Sequence, residues 1–254
     1  MAKPWVYLAE GECLGMMPEI PSGSVDMVLC DLPYGITACS WDSKIDAAPL
    51  WGEYSRVVKE HGAIALFAQQ PFATELASAA PRKLLRYDLV WDKGGVTGFG
   101  NARRMPLRRH ENVLIFYRKL PVYNPQGLRA CHTRCRARTR PSEVYGAGMA
   151  GESVQRMTGY PQSIMQFRRE RGAAPCQKPV DLLEYLIRTY TNEGETVLDN
   201  TMGTGSTGVA AVKSGRNFIG IEMDHGRFEL ALTRVTRAMR KHGACRARTS
   251  FGGK

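Results

Sequence analysis

Three observations predict an α/β protein built on a mainly parallel sheet. Short apolar runs with β-branched members alternate with amphipathic helical stretches, the runs are apolar on both sides of the strand, and a glycine-rich turn joins a strand to a helix late in the chain. The 254 residues, 43% hydrophobic and 23% charged, suit one large globular domain or a domain with a substantial insert. That composition excludes a fibre, a disordered tail and a disulfide-stapled miniprotein.

The first clear strand is predicted over residues 24–30, an apolar run closed by Asp31-Leu32-Pro33-Tyr34-Gly35, where proline and glycine stop it. Residues 48–59 space Leu50, Trp51, Tyr54, Val57 and Val58 as a helix, and His61-Gly62 ends it before a strand over 63–67. A second helix is predicted over 72–80, with strands over 87–91 and 112–117. Residues 121–175 break this rhythm, being rich in Arg, Gly, Pro and Ser without sustained periodicity, and read as an insert or small lobe. Order resumes at Pro179, predicted in the first turn of a helix with the apolar face Val180, Leu182, Leu183, Leu186 and Ile187. A strand over 195–198, a helix over 207–213, a strand over 217–221 and a helix over 226–239 follow, and residues 243–254 are expected to fray.

Asp199-Asn200-Thr201-Met202-Gly203-Thr204-Gly205-Ser206-Thr207-Gly208 lies between a predicted strand and helix, with Gly203, Gly205 and Gly208 in G-x-G-x-x-G spacing. Such glycines let the backbone turn tightly and approach a nucleotide-like ligand, and Glu222, 19 residues after Gly203, is placed to accept hydrogen bonds from ribose hydroxyls. The pattern alone does not separate a dinucleotide from S-adenosylmethionine. Only 32 residues follow Glu222, so the remaining strands must come from the N-terminal part and the sheet is circularly permuted in sequence. A nicotinamide dehydrogenase would carry this loop near its start, which disfavours that reading.

In an open parallel sheet ligands sit beyond the carboxyl ends of the strands, so Asp31 to Tyr34 should face the same crevice as the glycines. A carboxylate, a main-chain carbonyl held by Pro33 and an aromatic face suit a planar base that bears an amino group. Asp31-Leu32-Pro33-Tyr34 resembles the catalytic Asp-Pro-Pro-Tyr motif of DNA amino-methyltransferases, and its place ahead of the glycine loop matches their beta group. Cys176-Gln177-Lys178-Pro179 is similar to the family's lysine-proline motif, Val197 to Gly205 to its methionine-binding loop, and Gly98 to Arg103 with His110 to Leu114 to a stretch of phage and prophage adenine methylases. The likeness spans most of residues 5–235 and is poorest in the insert.

The resemblance implies a Rossmann-like, circularly permuted fold dependent on S-adenosylmethionine and a basic target-recognition insert. Its parts are a catalytic half at 1–120, the insert at 121–175, a cofactor half at 176–242 and a flexible tail. It places Asp31, Leu32, Pro33 and Tyr34 at the reacting amine and Lys178, Asp199, Met202, Gly203, Thr204, Gly205 and Glu222 at the cofactor. The implied reaction is methyl transfer to adenine N6 of a flipped-out base in double-stranded DNA, with Asp31 and the Leu32 carbonyl accepting from the amine. Two departures stand out: Leu32 replaces a proline, and Asn200 and Thr201 replace a common proline and phenylalanine, with Met202 as a partial substitute for the lost aromatic wall.

The formal net charge is +11, and residues 82–171 alone hold 19 basic and 6 acidic side chains. This excess, in the region where the beta group carries target recognition, assigns DNA contacts to Arg103, Arg104, Arg108, Arg109, Arg129, Arg134, Arg136, Arg138 and Arg140. Phe99 is a candidate for the far side of a clamp on the flipped base. Cys131, His132 and Cys135 lack a second ligand pair, so no metal is expected, and the seven thinly spread cysteines read as reduced thiols. Without an 18-residue apolar run or a secretory leader, the expectation is a cytoplasmic monomer or homodimer of a bacterial host, phage-encoded or part of a restriction-modification pair, with no membrane partner. Cytosine-N4 methylation, a DNA-binding relative without catalysis and a nicotinamide oxidoreductase are the rival readings.

Overall fold

The computed structural model describes residues 3–35, 43–138, 150–170, 177–243 and 246–251. Strand β1 (Trp5–Glu10) is an element that the sequence did not announce: it is short, follows Pro4, and buries Val6, Leu8 and Ala9. A short helix α1 (Cys13–Met16) and a 3-10 turn (Met17–Glu19) lead to β2 (Val25–Cys30), as expected. Helix α2 (Ala47–Val57) starts at Asp46, whose carboxylate caps Ala48 N at 3.2 Å. It ends two residues earlier than predicted, because Val58 already belongs to β3 (Val58–Ala68) and His61-Gly62 lies inside that strand. Gly62 fits there because a Cβ would meet the Asp26 carbonyl at 2.9 Å.

Helix α3 (Phe72–Ala79), β4 (Leu85–Thr97) and β5 (Arg108–Phe116) follow. The two strands run well past the predicted 87–91 and begin before 112, since their ends are exposed and carry no apolar signal. The predicted insert contains β6 (Arg129–Arg138) and β7 (Ala150–Thr158), an antiparallel pair whose polar composition hid its strand character. It also contains β8 (Ile164–Gln166), which joins the main sheet.

Pro179 precedes α4 (Val180–Tyr190) as its N-cap rather than sitting in its first turn. Then come β9 (Thr196–Asp199), α5 (Ser206–Lys213), β10 (Asn217–Glu222) and α6 (His225–His242), the last capped by Asp224 and stopped by Gly243 in the left-handed region. Residues 246–251, expected to fray, form β11 (Arg246–Phe251) beside β1.

The main sheet has the order β11-β1-β10-β9-β2-β3-β5-β4-β8. Six neighbouring strands, β11 to β3, are parallel, whereas β5 runs antiparallel to both of its neighbours. One face is covered by α4, α5 and α6 through Leu182, Leu186, Ala210, Phe228 and Val235 packed on Met27, Val197 and Phe218. The other is covered by α1, α2 and α3 through Cys13, Leu50, Trp51, Tyr54 and Leu76 packed on Val28, Ile64 and Leu198. Both faces being covered explains the nearly continuous burial of β2 and β9. The chain forms two compact units, Met1–Asn124 with Ser163–Lys254, and Pro125–Gln162. Among the described residues no helix is long and apolar enough to cross a membrane.

Candidate active site

β2 and β9 are neighbours in the sheet although about 170 residues separate them, with Met27 opposite Val197 and Val28 opposite Leu198. Being parallel, they release their following loops at the same edge, the place where open α/β sheets bind ligands. Asp31 to Tyr34 and Asp199 to Thr204 therefore line one cavity of about 1260 Å³. The loops are tied together: Thr201 Oγ1 donates to the Asp31 carbonyl at 3.1 Å, and Cys30 Sγ and Tyr54 OH donate to Asn200 Oδ1 at 3.0 and 2.7 Å. Asn200 and Thr201, the residues replacing proline and phenylalanine, thus hold the two loops to each other. Met202 is buried in the core beneath β10 while still lining the cavity.

Gly203 and Gly205 have φ of 53° and 76°, a region costly for any other residue. Gly208 is needed for space, since a Cβ there would meet the Phe218 ring at 2.6 Å. The loop is further fixed by Arg234 of α6, whose Nη1 donates to the Thr204 carbonyl at 2.6 Å and its Oγ1 at 2.7 Å. Glu222 ends β10 with Oε2 accepting from Gly203 N at 2.8 Å and Oε1 from Asp224 N at 2.9 Å. Each oxygen keeps a second lone pair, Glu222 lines the cavity, and burial raises the carboxyl pKa against those two amides.

Asp199 is 3% exposed. Burial pushes its carboxyl up to about 7 from an ordinary 3.8, against hydrogen bonds from Thr207, Thr201 N and Cys30, with the neighbouring Asp31 adding to the rise. The folded value lies above the unfolded one, so the stability that this group contributes is complete below about pH 4 and lost as the pH rises through 7. A cation bound beside it would restore that loss.

Asp31 is the centre of a second constellation. Its Oδ1 accepts from Tyr34 OH at 3.0 Å and its Oδ2 is ion-paired with Lys178 Nζ. Lys178 also lies 3.3 Å from Glu111 Oε2, and Glu111 Oε1 accepts from Lys93 Nζ at 3.1 Å. Lys93, Glu111 and Lys178 are all buried, whereas about a third of the Asp31 side chain (32%) faces the cavity. Burial holds the Asp31 carboxyl above the ordinary range; Lys178 opposes this and Glu111 adds to it. Burial alone would lower Lys178, but Asp31 and Glu111 together hold its ammonium above the ordinary lysine value, and Glu111 in turn is held low by Lys178 and Lys93 despite its own burial. Leu32 points into the core, and the Tyr34 ring is stacked on Phe72 with centroids 4.9 Å apart.

The basic candidates divide. Phe99, 69% exposed, sits on the tip between β4 and β5, flanked by exposed Arg103 and Arg104; it does not line the cavity, although Gly98, Asn101 and Met105 do. Arg108 donates to Gln69 Oε1 at 2.6 Å, and Arg109 is committed to Asp92 through two 2.9 Å bonds. In the smaller unit Arg129 and Arg134 are exposed on β6, where Arg136 and Arg138 take the next alternate positions. Arg140 falls outside the described residues. Among the described residues no group of three or more His, Cys, Asp or Glu side chains could hold a metal ion.

Lys93 and Glu111 were missed as site residues. A signal existed for Glu111: it is an acid directly after the mostly basic stretch 103–110 and just before the apolar run of a strand. Lys93 carried none, because an exposed-looking lysine after a strand is ordinary.

A protein family described as DNA methylase matches residues 25–233. The chain is 27% identical over 253 residues to "DNA adenine methyltransferase YhdJ" of Escherichia coli (strain K12), covering 90% of this chain and 82% of the relative. It is 25% identical to "Type II methyltransferase M.HpaI" of Haemophilus parainfluenzae, covering 86% and 70%. Among solved structures it resembles M1.HpyAVI (TM-score 0.64, 19% identity, 91% of this chain and 98% of the other). It also resembles the cytosine-N4-specific PvuII DNA methyltransferase (TM-score 0.65, 12% identity, 97% of each), a likeness of fold.

Proposed function

This chain belongs to the N6/N4 DNA methylase family, whose methyl donor is S-adenosylmethionine, and from that premise we propose that it methylates the exocyclic N6 of adenine in duplex DNA. The observation that carries the proposal is the meeting of Asp31 and the Gly203–Gly205 turn in one cavity. Labelled cofactor incubated with mixed-sequence DNA, followed by nucleoside analysis, tests it. N6-methyladenine is the expected product, and N4-methylcytosine alone would refute the choice of base. The first position of the Asp-Leu-Pro-Tyr motif supports adenine, because serine is the commoner residue there in cytosine-N4 enzymes.

The residues fit the donor. Asp199 is a buried carboxylate that titrates near 7 with no cation among the groups that shift it, a site suited to a positively charged methionine moiety. Glu222 offers lone pairs to vicinal hydroxyls, and the left-handed turns at Gly203 and Gly205 bring backbone close to the ligand. Because the ionised form of Asp199 is the one that attracts a cation, affinity for S-adenosylmethionine is expected to rise as the pH passes upward through about 7. Calorimetry should find that Asp199→Asn flattens this rise.

When bound, the donor supplies an electrophilic sulfonium methyl. The chain's own task is alignment. Asp31 and the Leu32 main-chain carbonyl accept the two N–H bonds of the target amine, which turns its lone pair out of conjugation with the ring. Tyr34, backed by Phe72 and hydrogen-bonded to Asp31, supplies the stacking face for the base, offsetting part of the few kcal/mol that flipping costs. Phe99 is better placed to meet the duplex than the flipped base, being exposed and not among the residues that line the cavity.

Residues 121–175 are assigned to target recognition, with Arg103, Arg104, Arg129 and Arg134 on DNA phosphates. Replacing Arg103 and Arg104 by alanine is expected to weaken binding similarly for all sequences and to lower the slope of log affinity against log salt by roughly 0.9 per lost phosphate contact. A filter-binding series across salt concentrations checks this; an unchanged slope would remove both residues from the interface.

A further inference from the structure

The Asp31 carboxylate has both oxygens engaged before any base arrives, Oδ1 by Tyr34 and Oδ2 by Lys178. A target amine that binds Oδ2 where Lys178 now sits displaces that ammonium. Lys178 has somewhere to go. Glu111 Oε2 lies 3.3 Å from Nζ, yet it is buried and lacks an aligned hydrogen bond among the described residues. An acceptor left in that state is costly, and such groups call for an explanation. Glu111 cannot swing to find another partner, because Lys93 holds its Oε1. The Phe67 ring, 5.0 Å from Nζ, gives the ammonium an attractive face that serves both positions.

We propose that Lys178 is a displaceable placeholder on the acceptor oxygen of Asp31, and that Glu111 is a positioning residue whose waiting oxygen receives the ammonium when the target amine takes its place. This rests on the reading of Asp31 as the acceptor of that amine. No proton changes hands: Lys178 stays charged and exchanges one carboxylate for another. Two lysines and two carboxylates keep the buried cluster neutral in both positions, so the exchange adds no uncompensated charge. A buried ionic ladder is weak evidence of stabilisation, since apolar replacements are often as stable. Its position in the cavity wall instead ties it to the reacting amine.

The test compares wild-type protein with the charge-balanced variant Lys93→Met/Glu111→Gln and with the same variant carrying Lys178→Met, using labelled S-adenosylmethionine and duplex DNA. Glu111→Gln alone leaves an unpaired buried lysine and is open to misfolding, which is why the balanced pair is used. Its thermal midpoint and cofactor affinity are expected to stay near those of wild type. Its kcat/KM for DNA should fall about 10- to 100-fold, because Lys178 then has only Asp31 to bind. Adding Lys178→Met should recover part of that loss, whereas a structural role predicts a further decline. The acid limb of the pH profile should also move to lower pH in the balanced pair, since the charges facing Asp31 are Lys178, Glu111, Asp199 and the Tyr34 hydroxyl, and one that opposes ionisation has been removed.

A structure of wild-type protein with S-adenosylhomocysteine and an adenine-containing duplex gives a readout independent of the variants, with Lys178 Nζ expected on Glu111 Oε2. Nζ still on Asp31 beside a seated base, or wild-type kcat/KM in the balanced pair, overturns the proposal. An inactive wild-type protein instead overturns the methyl-transfer reading beneath it.

Discussion

Asp31→Ala is expected to lower methyl transfer about 1000-fold or more while leaving cofactor affinity within a few-fold of wild type. The size follows from the role proposed for Asp31: without it the amine would lack the acceptor that orients its lone pair, and one positioned acid-base group is typically worth about 100- to 10 000-fold. The selectivity follows from geometry. Asp199, Glu222 and the turn at Gly203 and Gly205 belong to β9, β10 and the loop after β9, and none of them depends on the Asp31 side chain for a hydrogen bond. Thr201 is tied to the Asp31 carbonyl, which alanine retains. Single-turnover transfer with calorimetric cofactor binding in parallel checks both halves. A variant that still methylates would remove Asp31 from the chemistry, and one that also fails to bind cofactor would show that the two loops act as one unit.

Gly205→Ala should have the opposite signature, with binding and folding lost together. At φ 76° any other residue is strained, and a Cβ there would lie 2.9 Å from Ala231 Cβ and 3.1 Å from Ala231 Cα, so it would press on the backbone of α6 rather than on a yielding side chain. Left-handed strain and overpacking each cost about 1 to 3 kcal/mol, a large part of the stability of an ordinary domain. Since α5 begins at Ser206, displacement of the turn also shifts the first turn of that helix and the Arg234 bonds to Thr204. Chemical denaturation should show a destabilisation of about 2 to 5 kcal/mol, and calorimetry no measurable cofactor binding. Gly203→Ala is the control. A Cβ there meets nothing within 4 Å, so only the backbone strain remains and the loss should be smaller.

Much of this architecture was legible because its signals are local. The apolar run at 25–30, the helical face of Leu182, Leu183, Leu186 and Ile187, and the spacing of Gly203, Gly205 and Gly208 each state their element within a few residues. Permutation was legible from order, since the Asp31 loop precedes the glycine loop in sequence, and β2 does lie beside β9. What escaped was decided by partners distant in sequence. β1 is a strand because β10 and β11 flank it, and β11 because β1 is there. β6 and β7 pair through polar residues that carry no alternating apolar signal. The same holds for the site: Asp31 and Tyr34 stand in one motif, whereas Lys93 and Glu111 become site residues only when β4 and β5 bring them beside Lys178. The commitment of Arg109 to Asp92 was likewise invisible, because composition counts charges without showing which are already paired.

The adjacency of β2 and β9 also sets the order in which this chain can be made. While a ribosome works through the intervening residues, Val25–Cys30 has β3 on one side and nothing on the other, leaving an almost wholly apolar strand with one open edge. Such an edge invites pairing with another nascent chain until Thr196–Asp199 emerges and takes its place. Such distant pairing is of the kind that slows folding, and a chain cut before β9 lacks half of the pocket's wall.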